Sequence, residues 1–383
     1  MRVRRLYEPN TSGKSGFWMK FMLGLNLLSL LGLLLAYLSY HTSPAEILLP
    51  VIFGISYPVW FLLNFLFIIL WLFLKKWWFA LPLIAIILGW GHVGATYQSG
   101  DAADEAEGEL NLMTYNVKFF DVYNWREDTT NNTHNKIYRF VESQKPDILC
   151  FQEFYNEDTP YFAVMDSLLA IQSDYTYHVD YFQTKRKHYH WGLATFSKYP
   201  VINRQRHQFS NSLGNYCIYT DLIFKGDTIR VFNVHLESWH FEENDYQFIT
   251  KDADTLKENN QIEDGLKNIY WKMRSASIKR AIQVEELSGL INSSPYPVIA
   301  CGDFNSTPVS YVHNQMTTIL NDAFIGNGYH FGTTYQGMIP MARIDYVFYD
   351  NNFNVQSFKT FKKDYSDHYP VSVTLDRNRK NDQ

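Results

Sequence analysis

The stretch Ile299-Ala-Cys-Gly-Asp-Phe-Asn-Ser-Thr-Pro308 decides how the rest of the chain is interpreted. An apolar run over 297–301 predicts a short buried strand. Gly302 then allows the backbone to turn, so that Asp303 and Asn305 emerge on the same side. The stretch therefore predicts a carboxylate and a carboxamide held together at the end of a strand.

The end of the same stretch has the residues of a helix start. Thr307 suits an N-cap and Pro308 the first helical position, so we expect a helix over 309–320. The two polar side chains would then be fixed between a buried strand and a helix. The alternative is that Asp303 and Asn305 only form hydrogen bonds within the turn.

The first quarter of the 383-residue chain is strongly apolar. Three runs, at about 21–40, 47–74 and 77–97, are each long enough to cross a hydrocarbon core of roughly 30 Å. A single run of this kind also fits a buried core helix, and the first also fits a signal peptide. Three runs in succession without a small-residue cleavage site favour a membrane anchor over 1–97 with three transmembrane helices.

Basic residues predict how this anchor is oriented. Lysine and arginine precede the first run, the loop 41–46 has neither, and Lys75 and Lys76 follow the second run. The excess of positive charge on cytoplasmic loops places the amino terminus in the cytoplasm. We therefore expect an integral protein of the cytoplasmic membrane whose residues after Tyr97 lie on the outer side.

The charge and the cysteine content limit the functions that the residues after the anchor can have. Residues 1–97 carry a net charge of +5 in a chain of −5, which leaves −10 for the rest. An acidic domain is a poor general trap for nucleic acid. The three cysteines, Cys150, Cys217 and Cys301, are scattered in apolar runs and indicate buried thiols rather than a zinc site.

The chain after the anchor divides into a linker, a folded domain and a tail. Residues 98–109 are small and acidic, which is typical of a linker. Strand-like and helix-like segments then alternate over 110–376, and 377–383 form a polar tail. Within the domain, 236–270 is polar with scattered aromatic residues and predicts an inserted arm.

Polar side chains recur where these predicted strands end. They are Asn116, Glu153, His235, Asp303, Asn305, Asp345, Asp367 and His368. A set rich in oxygen ligands and without cysteine suits Mg²⁺ or Mn²⁺ better than zinc. It also supplies what hydrolysis of a phosphoester needs, namely a cation, a base for water and an acid for the leaving oxygen.

The segments that carry these residues resemble the ordered motifs of the endonuclease/exonuclease/phosphatase superfamily. The motifs are Met-Thr-Tyr-Asn116-Val, Gln152-Glu153, Asn233-Val-His235-Leu, Gly302-Asp-Phe-Asn305, Arg343-Ile-Asp345-Tyr and Ser366-Asp-His368. Each motif alone is weak, but six in the same order over about 110–376 are specific. The resemblance implies a four-layered α/β sandwich, in which helices cover two packed, mainly antiparallel sheets.

The resemblance also implies roles for the site residues. A divalent metal, Mg²⁺ or Mn²⁺, would be bound by Glu153, with Asn116 beside it and Asp367 near. Catalysis would depend on five residues: His235, Asp303, Asn305, Asp345 and His368. Asp303 and Asn305 would orient water and phosphate, and Asp345 would fix the tautomer of His368. His235 would hold a phosphate oxygen or act as an acid.

Three functions follow from these expectations. The first is a membrane-anchored phosphodiesterase of the endonuclease/exonuclease type, which acts on nucleic acid by metal-assisted attack of water. The second is a phospholipase C-like, sphingomyelinase-like or inositol-phosphate or lipid phosphatase activity, which the contact with the bilayer and the aromatic arm favour. The third, a non-catalytic receptor or scaffold, is disfavoured by the complete motif set.

Overall fold

The protein is described by a computed structural model that covers residues 12–100, 108–239, 261–337 and 339–378. Two six-stranded sheets pack face to face, helices cover both outer faces, and a helical bundle precedes them. The four-layered α/β sandwich that the resemblance implied is therefore confirmed.

The first sheet is mainly antiparallel. Its strands, in the order in which they lie side by side, are Phe353–Thr360 (β13), Val371–Arg377 (β14), Leu110–Asn116 (β2), Ile148–Glu157 (β3), Tyr189–Ser197 (β5) and Thr176–Lys185 (β4). Only β2 and β3 are parallel neighbours, at the centre of the sheet. A parallel pair needs a crossover, and Thr133–Gln144 (α7) provides it.

The second sheet repeats this plan. Its strands, in order, are Asn321–Asp322 (β10), Asp345–Tyr349 (β12), Val298–Asp303 (β9), Asp227–His235 (β8), Tyr216–Phe224 (β7) and Val201–Gln208 (β6). Its central pair, β8 and β9, is again parallel, and Gln261–Asn292 (α9) lies in the crossover. A separate two-stranded sheet pairs Gln98–Ser99 (β1) with Tyr329–His330 (β11).

The apolar core lies in three layers. Aliphatic residues of both sheets, such as Leu112, Val231 and Ile299, fill the space between them. Two helices, α7 and Val164–Ile171 (α8), pack on the outer face of the first sheet. A short helix, Val122–Glu127 (α6), precedes α7. On the outer face of the second sheet pack α9 and Tyr311–Thr317 (α10). Cys150, Cys217 and Cys301 are buried free thiols, as predicted.

The helix after the opening stretch begins later than predicted. Ser310, not Thr307, is the N-cap of α10, and its side chain accepts a hydrogen bond from the His313 N–H. Residues 307–309 stay outside the helix because Val309 packs against the apolar amino-terminal bundle. Sequence pattern alone contained no sign of this contact.

The amino-terminal bundle contains five α-helices. They are Ser12–His41 (α1), Leu49–Ile55 (α2), Tyr57–Phe73 (α3), Ala80–Leu88 (α4) and Trp90–Thr96 (α5), with a 3₁₀ turn at Trp77–Phe79. Of the described residues, one helix, Gly16–His41, is long and apolar enough to cross a membrane. The count rises to three only if each of two bent pairs forms one span.

The sequence predicts one continuous helix for the second apolar run and one for the third, but in the structure each of these two runs is bent. The axes of α2 and α3 differ by 71°, and those of Trp77–Leu88 and α5 by 62°. Pro58 lies in the first turn of α3, where its ring and missing N–H prevent α2 from continuing. At Gly89 a Cβ atom would lie 2.1 Å from the Tyr37 ring, so only glycine fits this second bend.

The bundle contacts the sandwich through several specific interactions. Tyr40 Oη lies 2.8 Å from Thr317 Oγ1, and the buried Arg343 donates to the Ala95 carbonyl at 2.7 Å. The predicted linker is also tied down at its start, because β1 pairs with β11. Residues 101–107 of that linker and 379–383 of the predicted tail lie outside the described residues.

The predicted inserted arm is replaced in part by a helix. α9 begins at Gln261, so the last ten residues of 236–270 are helical. Residues 240–260 of the arm lie outside the described part of the chain. The sequence predicts a helix over 271–290, but Gly265 and the polar residues of 261–270 favoured an arm, so the start of the helix was missed. The later turns of α9 pack on the outer face of the second sheet.

Candidate active site

Three neighbouring strands of the second sheet bring a row of polar side chains to one edge. Asp345 on β12 pairs directly with Asp303 on β9, and Asp303 pairs with His235 on β8. Each residue lies at the end of its strand that faces the same edge. The register, rather than any loop, therefore positions this part of the site.

His368 reaches this row from the loop before β14. Its Nδ1 lies 2.9 Å from Asp345 Oδ2, and its Nε2 lies 3.7 Å from Asp303 Oδ2. All three side chains are almost fully buried. The hydrogen bond to Asp345 leaves Nε2 as the ring nitrogen that faces Asp303 and the site.

Asn116 connects the two sheets. It ends β2 in the first sheet, and its Nδ2 donates to Asp303 Oδ2 at 3.0 Å and to Glu153 Oε1 at 3.2 Å. Its Oδ1 accepts from the Lys118 N–H at 3.1 Å. In this orientation the amide holds two carboxylates together, and its oxygen points away from them.

Glu153 reaches the site from a β-bulge and not from a strand end. β3 continues to Glu157, and its register against β5 shifts between Phe151 and Phe154. Glu153 has a positive φ of 50°, a conformation that costs a non-glycine residue about 1 kcal/mol or more. The bulge turns the carboxylate towards the site, which a regular strand would not do.

Asp367 lies at the open side of the site. Its Oδ2 is 3.2 Å from Lys118 Nζ, and its side chain is 37 % exposed. The preceding Ser366 donates to the Asn116 carbonyl at 2.8 Å. This bond fixes the loop of Asp367 and His368 against the end of β2.

His235 and Asn305 complete the set. His235 Nε2 lies 3.8 Å from both Glu153 Oε1 and Asp303 Oδ2. Asn305 makes the turn contacts of the simpler alternative, since its N–H donates to Asp303 Oδ1 at 2.8 Å. Its side chain also donates to the Leu236 carbonyl at 2.9 Å, so it holds the segment that follows His235.

Two buried residues of α9 hold the same segment. The Glu237 N–H donates to Gln283 Oε1 at 2.9 Å, and Arg280 Nη1 donates to the Glu237 carbonyl at 2.8 Å. Deeper between the sheets, Gln152 Nε2 donates to Asn233 Oδ1 at 2.7 Å. Gln152 and Asn233, the uncharged residues of two of the motifs, therefore have a structural role.

Comparison with known protein families agrees with this geometry. A family model described as the endonuclease/exonuclease/phosphatase family matches residues 113–368, more than half of the chain. The chain belongs to the endonuclease/exonuclease/phosphatase family. A second model, described as a domain of unknown function, matches residues 19–96. No curated protein sequence matches the chain.

Solved structures of low sequence identity are similar to this chain over about 70 % of its length. An endonuclease/exonuclease/phosphatase family protein from Leptotrichia buccalis is 16 % identical over 70 % of this chain and 99 % of its own, with a TM-score of 0.48. The human Nocturnin catalytic domain is 19 % identical over 71 % and 95 %, with a TM-score of 0.49. A mannosyl-6-phosphatase from Bacteroides thetaiotaomicron is 19 % identical over 70 % and 99 %, at 0.46.

Burial and charge shift the pKa values of the site in this family member. Burial raises the pKa of Asp303 to about 6, with a smaller rise from Asp345. Burial, and then the charge of Asp367, raise the pKa of Glu153. Burial opposes the charging of His368, but Asp345 and Asp303 outweigh it and raise its pKa to about 10. These carboxylates therefore favour the protonated form of His368.

The donor set fits a divalent cation. Ligand atoms of Asp303, Asp345 and His368 all lie within 4.8 Å of one another, a spacing that can hold a metal ion. Asp345 Oδ1 is buried without a hydrogen-bond partner among the described residues. With Glu153 beside them, the carboxylates of Asp303 and Asp345 form the concentration of negative charge that a hard cation offsets.

Two residues that support the site were missed from the sequence. Thr334 Oγ1 accepts from the N–H groups of Ile344 and Asp345, and Tyr335 forms an isolated β-bridge with His368. They lie in an irregular segment whose composition indicates no element. The Tyr335 ring also contacts the His368 ring, with 5.2 Å between their centroids. This contact is visible in the structure but not in the sequence.

Proposed function

We propose that this family member is a membrane-anchored, divalent-metal-dependent hydrolase of phosphoesters, of phosphodiesterase type. The observation that carries the proposal is the buried chain Asp345–His368–Asp303, which Asn116 connects to the Glu153 carboxylate. Such a chain supplies an oriented imidazole and a carboxylate for water on one side of a cation site.

The metal would be Mg²⁺ or Mn²⁺, bound by Glu153 with Asp367 near and Asn116 between the carboxylates. When bound, it supplies positive charge to the phosphate oxygens. Asp303, whose pKa is raised, accepts the proton of the attacking water. Asp345 holds His368 protonated, so that His368 donates to a phosphate oxygen. Asn305 orients water, and His235 holds a second phosphate oxygen or acts as an acid.

The two substrate classes differ in what supports them. Nucleic acid is the expectation from the resemblance to the endonucleases and exonucleases of the superfamily, although the six motifs do not select a substrate. A phospholipid head group is favoured by the position of the site, because the loops after Asn305 and before Asp345 contact the apolar bundle through Val309 and Arg343. A lipid phosphodiesterase or phosphatase is therefore the second candidate.

The location is also part of the proposal. α1 would anchor the chain in the cytoplasmic membrane with its amino terminus in the cytoplasm and the sandwich outside. A carboxyl-terminal alkaline phosphatase fusion should be active, and a cytoplasmic reporter fusion should be silent. The opposite pattern would overturn this orientation.

The test of the activity uses the full chain in detergent micelles with Mg²⁺ or Mn²⁺. Plasmid DNA, RNA, sphingomyelin and inositol phosphates are offered separately, beside a His368→Ala variant. We expect hydrolysis of one class that requires metal and is lost in the variant. Hydrolysis of none of them by folded protein, or activity that the variant retains, would contradict the proposal.

A further inference from the structure

The amino-terminal half of α9 extends beyond the sandwich. The helix has 32 residues and is about 48 Å long, but from residue 263, where its described side chains begin, the first buried one is Ala276. Leu266, Tyr270 and Trp271 are 55 %, 43 % and 58 % exposed. Large apolar side chains in such a helix call for a partner.

The exposed apolar residues lie on the same face as the buried ones. Leu266, Tyr270 and Met273 follow a four–three spacing that continues without a break along the helix. The next members of the series are Ser277, Arg280, Val284, Leu287 and Ile291. Val284, Leu287 and Ile291 pack on the second sheet. The face therefore begins on the sandwich and runs past its end.

The middle of this face contacts the apolar bundle. Ser277 and Arg280 line a small cavity together with Ser39 of α1 and with Val51 and Ile55 of α2. These bundle residues lie at the end of α1 that the predicted topology places at the outer membrane surface. The face thus passes from the sheet to the outer end of the proposed anchor.

A second contact fixes the direction of the helix. Tyr311 of α10 donates through Oη to Glu285 Oε1 of α9 at 2.8 Å. Burial and then Glu285, with a smaller contribution from Glu46 in the loop between α1 and α2, raise the pKa of Tyr311 to about 12. Tyr311 lines the same cavity as Ser277 and Arg280, so α9 is held to α10 beside the outer end of the bundle.

We propose that the amino-terminal half of α9 lies on the surface of the lipid bilayer that holds α1, with Leu266, Tyr270 and Met273 among the lipid head groups. This inference rests on the proposed membrane anchor. Trp271 lies at the border of the apolar face, where Arg274 stacks on its ring at 5.6 Å, an arrangement that suits an interface. The helix would tie the active-site edge to the membrane surface.

The test measures the surroundings of single spin labels in the full chain. The protein is reconstituted in nanodiscs of phosphatidylethanolamine and phosphatidylglycerol, with labels at Leu266→Cys and Tyr270→Cys. The three native cysteines are buried, and unlabelled parent protein gives the background. Accessibility to oxygen, which partitions into lipid, is compared with accessibility to a water-soluble nickel complex.

Two control labels report on the opposite face of α9 and on the membrane anchor itself. Ser275→Cys lies on the opposite, exposed face of α9, and Leu28→Cys is an exposed position on α1. We expect the oxygen-to-nickel ratio at 266 and 270 to exceed that at 275 by roughly threefold or more, as for an interfacial helix. Equal ratios, or labels shielded from both reagents, would overturn the inference if Leu28→Cys reports lipid. If Leu28→Cys reports water, the anchor itself is wrong.

Discussion

The two sides of the candidate active site differ in how much of their geometry the fold already fixes. On the histidine side, Asp303, Asp345 and His368 are 1 %, 2 % and 7 % exposed and are linked by hydrogen bonds or register. On the metal side, Glu153 and Asp367 are 24 % and 37 % exposed. The comparison indicates that one side is organised before substrate binds, and we expect the other side to be completed by the proposed cation.

The largest expected effect is on the histidine side. His368→Ala should lower kcat/KM about a hundredfold to a thousandfold, because removing one positioned donor to developing negative charge costs roughly 10²–10³-fold. Added metal should not restore the rate. Adding Asp345→Asn to His368→Ala should cost little more, since groups that act as a unit are not additive. Rates for the single and double variants at saturating Mg²⁺ measure this.

A matched control and thermal melts separate catalysis from folding. His188 is exposed and outside the site, so His188→Ala should keep full activity. If Asp345 only supported the fold, Asp345→Asn would lower the melting temperature and its loss would add to that of His368→Ala. Additive losses from proteins that remain folded would show that the two residues do not form a functional pair.

The next effect concerns the support beneath the histidine side. Arg343, two residues before Asp345, is buried and donates to Asp322 at 2.8 Å, and His313 lies 2.9 Å from the same carboxylate. Removing one partner of a buried ion pair costs about 3–5 kcal/mol. Asp322→Asn should therefore lower the free energy of unfolding by about 3 kcal/mol in denaturation experiments.

The pH dependence of stability tests the same cluster. Burial opposes the ionisation of Asp322, but Arg343 and His313 outweigh it and lower the pKa to about 2. A carboxyl pKa below its unfolded value of about 3.9 stabilises the fold at higher pH, and this stabilisation is lost as the pH falls through about 2. Thermal melts from pH 5 to pH 2 should show a smaller loss in Asp322→Asn. An equal loss would mean that other carboxylates dominate.

The metal side should respond to added cation, unlike the histidine side. Glu153→Gln keeps the shape but removes an anionic ligand, so activity at limiting Mg²⁺ should fall about a hundredfold. Higher Mg²⁺ or Mn²⁺ should restore part of it. Glu127→Gln, at an exposed position, is the control. If the loss is the same at every metal concentration, Glu153 does not act through a cation.

The two sides also differ in how well the sequence predicts them. Asp303, Asp345 and His235 lie at strand ends, and the pairing of adjacent strands brings these ends together, so the polar strand ends and the family resemblance together pointed to this side. Glu153 was placed at a strand end, but the structure puts it in a bulge within β3. A bulge depends on pairing with β5, which the local sequence does not encode.

The other differences have the same origin in tertiary contact. Residues 307–309 leave the helix because Val309 packs on the bundle, and the bend at Gly89 accommodates the Tyr37 ring of α1. The bend at Pro58 has a local cause instead, which the sequence already contains. The start of α9 contains Gly265 among several polar residues, which favoured an arm over a helix. Local propensity predicts an element well only where no distant partner competes for its residues.

The smallest expected effect tests whether Asp367 belongs to the metal side. Lys118 Nζ lies 3.2 Å from Asp367 Oδ2, and the two side chains are 55 % and 37 % exposed. A pair this exposed contributes at most about 1 kcal/mol, so Lys118→Gln should leave the fold and the rate at saturating metal unchanged. If Asp367 faces the cation, the Lys118 ammonium competes with the cation for the Asp367 carboxylate. Its removal should then tighten Mn²⁺ binding roughly two- to fivefold at low salt, and less at high salt.

Titration of free Mn²⁺ by its paramagnetic resonance signal measures this change. Lys198→Gln removes a similar ion pair, with Asp147 at 2.9 Å, that includes no site residue, and it should leave Mn²⁺ binding unchanged. Weaker Mn²⁺ binding in Lys118→Gln would mean that the lysine holds the Asp367 loop in place rather than competing with a metal. Unchanged binding would remove Asp367 from the cation's surroundings and leave Glu153 as the anionic ligand on this side.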